Sequence, residues 1–278
     1  MHSSQSKASH PHITFLGGGN MASAIIGGLR KRDWPLEAIT VIEPFDAARE
    51  ALRAAHGLAA MGQVEASVRH TDLVVWAVKP QSFVDAAKGL GEQTKNALHV
   101  SVMAGIPASA ITTSTGSQRV VRCMPNTPAL VGQGMSGLFA AAPVTQTDRS
   151  LVQTIMAGTG DILWVELEDQ LDAVTALSGS GPAYVFYFLE AMQQAGTELG
   201  LSAQQARKLA VQTFLGSSVL ARDSVESLTT LRERVTSKGG TTHAAVSHME
   251  ASCVGEHFVN AMHAASARAK ALGLHYGH

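Results

Sequence analysis

The sequence has only two cysteines, Cys123 and Cys253, and no Cys-x-x-Cys pair. No disulfide framework is expected, and so few thiols fit a reducing compartment. The chain has no run of Lys and Arg longer than Arg30-Lys31-Arg32. Its formal net charge is −1 and its pI is near 6.9, which argues against nucleic acid or an acidic membrane surface as the main partner. No apolar run is long enough to span a bilayer. The N-terminal stretch Met-His-Ser-Ser-Gln-Ser-Lys-Ala-Ser-His has no apolar core like that of a signal peptide; it reads as a frayed polar tail, and the chain as cytoplasmic. The sequence lacks a helical zinc motif too. His243 and His248 lie five apart and point to different faces of a predicted helix, not at the i, i+4 spacing such a site needs. No catalytic metal is expected.

Apolar residues make up 45% of the 278 positions, enough for sizeable cores. The first half alternates strand-like and helix-like stretches. Strands are predicted at Ile13–Leu16, Ile39–Ile42, Leu58–Met61, Leu73–Val78, Leu98–Met103 and Val120–Met124, and helices at Met21–Arg30, Asp46–Ala55 and Ser82–Leu90. The unbroken apolar run at 73–78 fits a strand covered on both faces. A further βαβ-like piece covers Ser136–Ala141, Thr147–Met156 and Ile162–Val165. The expectation is an α/β fold with a doubly wound, mainly parallel sheet. Beyond about Glu168 the strands stop. Ala183–Leu199, Ser202–Ala221 and Thr241–Ala271 read as long helices, with a short helical piece at Ser224–Arg234, Gly200 as a stop and Ser202 as an N-cap. This predicts two domains, 1–167 and 168–278. An all-helical segment so small and apolar needs a second copy to cover it, giving a symmetric homodimer.

Residues 12–22, His-Ile-Thr-Phe-Leu-Gly-Gly-Gly-Asn-Met-Ala, run an apolar strand into Gly17-x-Gly19-x-x-Ala22 and a helix. This is the dinucleotide fingerprint in its Gly/Ala form and in its required strand–turn–helix setting. Gly17 permits the tight turn, Gly19 lets a pyrophosphate approach the backbone, and Ala22 allows close helix–strand packing. Gly18, Asn20 and Met21 complete the loop. The alternative is a glycine-rich turn of some other α/β protein.

Residues 235–246, Val-Thr-Ser-Lys-Gly-Gly-Thr-Thr-His-Ala-Ala-Val, place two glycines and two threonines before a predicted helix. The free N–H groups of such a helix start, together with its dipole, bind a small anion such as a carboxylate. The hydroxyls of Ser237, Thr241 and Thr242 add donors and acceptors. An ordinary Ser/Thr-capped helix after a glycine loop explains the same residues, so both readings stand.

Six segments together resemble the pyrroline-5-carboxylate reductase family: Gly-Gly-Gly-Asn-Met-Ala at 17–22, Val-Lys-Pro at 78–80, Ser-Val-Met-Ala-Gly-Ile at 101–106, Arg-Cys-Met-Pro-Asn-Thr-Pro-Ala at 122–129, Ala-Leu-Ser-Gly-Ser-Gly-Pro-Ala-Tyr at 176–184 and Val-Thr-Ser-Lys-Gly-Gly-Thr-Thr at 235–242. The resemblance runs from Ile13 to about Leu272. It implies a Rossmann-type domain followed by an all-α dimerisation domain, dimers that assemble further into a ring such as a decamer, and reduction of 1-pyrroline-5-carboxylate, a cyclic imine carboxylate, to L-proline with NADPH or NADH. It also implies that Thr242 contacts the ring nitrogen and that Ser237, Gly239, Gly240 and Thr241 clamp the carboxylate. The family commonly has Pro where this chain has Lys238, and a His-Pro pair that is missing from the segment before it.

Ligands of open α/β sheets sit beyond the carboxyl ends of the strands. Val78, Lys79 and Pro80, then Ala104 and Gly105, then Asn126 end three successive predicted strands and are further candidates for the cofactor. Lys79 reads equally as a solvated loop lysine, and Asn126 as part of a capping turn. Glu43 ends the second strand, where an acid bonds the ribose 2′-hydroxyl and repels a 2′-phosphate, whereas the nearby Arg49 would answer a phosphate. Both cofactors are expected to work. A β-hydroxyacid dehydrogenase shares this two-part layout but places a catalytic lysine on an early helix of the second domain. Here the first lysine after Pro182 is Lys208, too far along. A nicotinamide-binding regulator without turnover is a rival of a different class, and a helical interaction module with a vestigial fold is a third, which leaves both glycine-rich turns unexplained.

Overall fold

The computed structural model describes residues 10–64 and 66–276; residues 1–9 of the predicted polar tail lie outside it. The chain divides into two compact units. The first runs to Ser180 and takes back the residues from Ala265 onward, and the second is Gly181–Ala264.

In the first unit β1 (Ile13–Leu16), α1 (Asn20–Arg30), β2 (Ile39–Ile42), α2 (Asp46–His56), β3 (Leu73–Trp76), α3 (Phe83–Leu90), β4 (Leu98–Ser101), α4 (Ala108–Thr115) and β5 (Val120–Met124) alternate as the sequence predicts. They are followed by β6 (Gly134–Ala140), α5 (Gln146–Met156), β7 (Gly160–Trp164) and the short α6 (Gln170–Val174). The seven strands form one sheet in the order β2-β1-β3-β4-β5-β6-β7. Only the β5–β6 pairing is antiparallel. β1 connects through α1 to β2 on one side of itself, and the chain then crosses to β3 on the other. This strand reversal is where open α/β sheets bind ligands.

The apolar run at 73–78 is explained by where its side chains go. Leu73 and Val75 join a core on one face with Ile13, Phe15 and Val100, while Val74 and Trp76 join a core on the other with Leu16, Phe83 and Leu90. A strand buried on both faces has no polar side to show, and each such side chain contributes about 1.5–3 kcal/mol by leaving water.

Two predicted elements differ. Leu58–Met61 is not a strand: a single parallel bridge joins Met61 to Ile42, held by Met61 N–H to the Val41 carbonyl and Glu43 N–H to the Met61 carbonyl, both at 2.8 Å. The predicted helix Thr241–Ala271 is two helices, α10 (Thr241–Ala251) and α11 (Val254–Tyr276). They part at Cys253, whose φ of 53° is left-handed, a conformation no helix interior tolerates.

In the second unit α7 (Gly181–Glu198) and α8 (Ala203–Asp223) are followed by α9 (Leu228–Arg234), α10 and the start of α11. Ser202 caps α8 by accepting from Gln205 N–H, and the Gln205 side chain answers the Ser202 N–H in a capping box. Phe258 packs edge-on against Tyr184 and Phe188, with ring centroids 5.9 and 5.5 Å away. Little else is covered. Phe186 on α7 and Leu215 on α8 are 59% and 57% exposed. Helices this apolar on their open faces call for a partner surface.

Candidate active site

β1 ends on Gly17 at the strand reversal. Its φ is +92°, and a Cβ there would lie 2.5 Å from the Ala77 carbonyl oxygen at the end of neighbouring β3. Only glycine fits this turn. Gly18 is buried and directs its N–H to Glu43 Oε2 at 2.8 Å. Gly19 is exposed and is the N-cap of α1, with no side-chain cap. A Cβ on Gly19 would meet nothing within 4 Å. The first N–H groups of α1 thus lack a side-chain cap and lie at the positive end of the helix dipole, beside a glycine that leaves room for a ligand, which fits a pyrophosphate. Ala22 is fully buried behind the turn. Asn20 is exposed and Met21 packs on the core.

The other predicted cofactor residues sit where the sheet topology puts them, and the structure adds partners that the sequence does not reveal. Val78 packs on the core, Lys79 is exposed, and Pro80 opens a single helical turn. Gly105, with φ +77°, is a packing glycine: a Cβ would come within 3.3 Å of the backbone at Leu272 and Gly273, on the returning end of α11. Ala104, beside it, is half-buried. The Asn126 amide group reaches the Ser178 carbonyl at 3.2 Å and its hydroxyl at 3.3 Å, while its oxygen accepts from Met135 N–H at 2.9 Å. Ser178 lies in a π-type turn, Thr175–Gly179, closed by Ser180 N–H to the Thr175 carbonyl at 2.8 Å. Such turns mark functional positions in many helices. Asn126 thus ties the loop after β5 to the turn ahead of α7. Nothing in the pattern of residues around Ser178 signals this bond.

Glu43 is 6% exposed. Beyond Gly18, its other carboxylate oxygen accepts from Phe45 N–H at 2.9 Å. The acid at the end of β2 is therefore a brace for the glycine turn as well as a neighbour of the cradle.

The turn at 237–242 belongs to the second unit. The Gly240 N–H closes it onto the Ser237 carbonyl at 3.0 Å, and Gly239 takes φ +77°. α10 begins on Gly240 as its N-cap, with no side-chain cap. The Ser/Thr-capped reading is thus not what the structure adopts. Ser237, Lys238, Gly239 and Thr241 are exposed and Thr242 is half-buried. These backbone donors, with three hydroxyls beside them, can hold a carboxylate.

A family description of pyrroline-5-carboxylate reductase dimerisation matches residues 168–272. A second, NADP oxidoreductase coenzyme F420-dependent, matches residues 12–105. The pyrroline-5-carboxylate reductase of Pseudomonas aeruginosa is 40% identical over 271 residues, 97% of this chain and 99% of the relative. The chain belongs to the pyrroline-5-carboxylate reductase family. The Arabidopsis thaliana reductase is 34% identical over 94% of this chain and 95% of its own. Among solved structures, the reductase from Coxiella burnetii superposes with a TM-score of 0.87 at 36% identity, covering 95% of this chain and 99% of that one. The Plasmodium falciparum pyrroline carboxylate reductase with NADP bound superposes at 0.83 and 29% identity, covering 95% and 98%. The Rossmann-type sheet and the helical dimerisation region are therefore those of the reductase family. Among the described residues no group of three or more His, Cys, Asp and Glu is placed to hold a metal, and no helix is long and apolar enough to cross a membrane.

Proposed function

We propose that this chain reduces 1-pyrroline-5-carboxylate to L-proline with NADPH or NADH. The observation that carries the reading is a shared feature of two distant helices: α1 and α10 each start on a glycine, Gly19 and Gly240, with no side-chain cap. A reductase of a cyclic imine acid needs two anion grips, one for a pyrophosphate and one for a carboxylate. These two glycine-capped helix starts can supply them.

In this reading Gly17, Gly18, Gly19, Asn20 and Met21 hold the dinucleotide. Glu43 faces its adenosine ribose, and Val78, Lys79, Pro80, Ala104, Gly105 and Asn126 line the approach to its reactive end. The bound nicotinamide supplies a hydride to the imine carbon. Ser237 and the backbone of Gly239, Gly240 and Thr241 clamp the substrate carboxylate, and the Thr242 hydroxyl bonds the ring nitrogen. Reduction of C=N to a secondary amine takes one hydride and one proton. A threonine hydroxyl has a pKa far above neutrality, so Thr242 polarises the nitrogen or relays a proton that water or the already protonated imine provides. Orientation and exclusion of water are the chain's main contributions.

The open apolar faces of α7 and α8 support a homodimer, with the helical part taken from residue 168 onward and the dinucleotide-binding part before it. Assembly into a ring such as a decamer, and action in the cytoplasm on a small molecule without nucleic acid or membrane, belong to the same proposal. The test is loss of nicotinamide absorbance with proline formed in equal amount when 1-pyrroline-5-carboxylate is added, and no reaction of 2- or 3-hydroxy acids with NAD(P)⁺. Cofactor binding without turnover on any cyclic imine would make the chain a regulator instead.

A further inference from the structure

Two acids and one cation lie at the end of β2, and the cation is already paired with one of the acids. Glu43 is buried, and both its carboxylate oxygens are in use, accepting from Gly18 N–H at 2.8 Å and Phe45 N–H at 2.9 Å. Arg49 is the cation that could turn to a phosphate, and its guanidinium is held from three sides. Nη1 donates to the Glu43 carbonyl at 2.9 Å and the Pro44 carbonyl at 2.8 Å, and Nη2 is paired with the Asp46 carboxylate.

We infer that Glu43, with Asp46 holding Arg49, makes this chain favour NADH over NADPH, with the 2′-phosphate weakening the binding of NADPH without abolishing it. The inference rests on the dinucleotide reading of the Gly17–Met21 turn. An acid at the end of the second strand meets the adenosine ribose of a nucleotide bound at that turn. A 2′-hydroxyl can donate to a lone pair that the carboxylate keeps, since an ionised carboxyl has more acceptor sites than the two backbone bonds use. A 2′-phosphate brings between one and two negative charges to a place where Asp46 already matches Arg49 and Glu43 is left over. Glu43 cannot swing aside cheaply, because that would strand two backbone donors, one of them buried in the cradle itself. Arg49 cannot come forward without leaving two carbonyls and Asp46. The two acids therefore act together: one repels the phosphate and the other keeps the answering cation away from it.

The experiment is calorimetric titration of the full-length protein with ADP-ribose and with 2′-phospho-ADP-ribose, which reads binding without turnover. Wild type binds ADP-ribose about tenfold or more tightly than the phosphorylated fragment, the scale of a like-charge contact at a binding surface. Asp46→Asn, at a side chain 89% exposed, releases Arg49 and narrows the ratio by raising affinity for the phosphorylated fragment only. Glu43→Ser narrows it further but also loosens the glycine turn, so its affinity for both fragments falls. Equal or tighter wild-type binding of 2′-phospho-ADP-ribose overturns the inference while leaving the dinucleotide site intact. An unchanged ratio in Asp46→Asn overturns the role of Asp46. Failure of wild type to bind either fragment overturns the dinucleotide reading and the selectivity with it.

Discussion

The indole N–H of Trp76 donates to Nδ1 of His99 at 3.0 Å between adjacent strands of the sheet. Nδ1 must then be the bare nitrogen, so the proton sits on Nε2 and is donated to the Thr94 carbonyl, also at 3.0 Å. The ring is fully buried. Burial drives its pKa down to about 4; the bond to Thr94 opposes the shift and the Arg119 charge adds to it.

That burial predicts acid sensitivity. In the unfolded chain the imidazole takes a proton near pH 6.5, whereas in the folded chain it stays neutral down to about 4. Between those values the unfolded state binds more protons, so stability is full above pH 6.5 and is lost as pH falls toward 4, by about 3 kcal/mol in all. Urea unfolding followed by tryptophan fluorescence at pH 7.5, 5.5 and 4.5 checks this. His99→Phe should be less stable at neutral pH, because the indole N–H loses its acceptor, and should show a flatter pH profile. Equal slopes in the two proteins would count against it.

Two glycines two positions apart predict opposite outcomes. Gly17→Ala places a Cβ 2.5 Å from a backbone carbonyl at a left-handed φ, so the melting temperature should drop, reflecting a cost on the order of 1–3 kcal/mol or more. Gly19 has an ordinary φ of −72° and open space where its Cβ would be. Gly19→Ala should melt like wild type and bind NAD(P)H about tenfold or more weakly, because the methyl fills the pyrophosphate's place. Thermal shift and nicotinamide fluorescence separate the two. A Gly19→Ala protein with wild-type affinity would remove the cradle from the account.

Thr242→Ala should lower kcat/KM by about 1–3 kcal/mol, roughly 5- to 150-fold, the cost of leaving a hydrogen-bonding partner stranded. Thr242→Ser should recover most of it. Steady-state kinetics with 1-pyrroline-5-carboxylate decide, and unchanged kinetics in the alanine variant would take the ring nitrogen away from Thr242.

Glu168 joins two elements of the first unit. It accepts from Arg122 Nη1 at 2.9 Å and from Ala108 N–H at 2.8 Å. Arg122 is largely buried, and its Nε has no partner. Glu168→Ala should cost about 1–3 kcal/mol of stability without altering KM for either substrate. A shift in KM with no loss of stability would point to a ligand-binding role instead.

The sheet was largely legible in the sequence, because a parallel strand covered on both faces announces itself as an unbroken apolar run, as at Leu73–Trp76. Leu58–Met61, Leu-Ala-Ala-Met, is apolar but lacks the β-branched and aromatic residues of Leu73–Trp76, and only Met61 pairs with β2. The break at Cys253 was illegible because helical spacing continues through it without proline. The tight turn after β1 could be read from its glycines, since an absent side chain is the signal at Gly17. Glu43 and Asn126 could be placed at the right strand ends, but not their partners. The groups they bind are the backbone N–H groups of Gly18, Phe45 and Met135 and the carbonyl and hydroxyl of Ser178. Every residue but proline has an N–H and every residue a carbonyl, so no pattern of side chains identifies which will be used.

A crystal structure of the protein with a dinucleotide and L-proline bound tests the central claim most directly. The account predicts the proline carboxylate within hydrogen-bonding distance of the Ser237 hydroxyl and the backbone of the Gly239–Thr241 turn, and the ring nitrogen beside the Thr242 hydroxyl. A proline carboxylate held by other residues, with the start of α10 left to solvent, would contradict it.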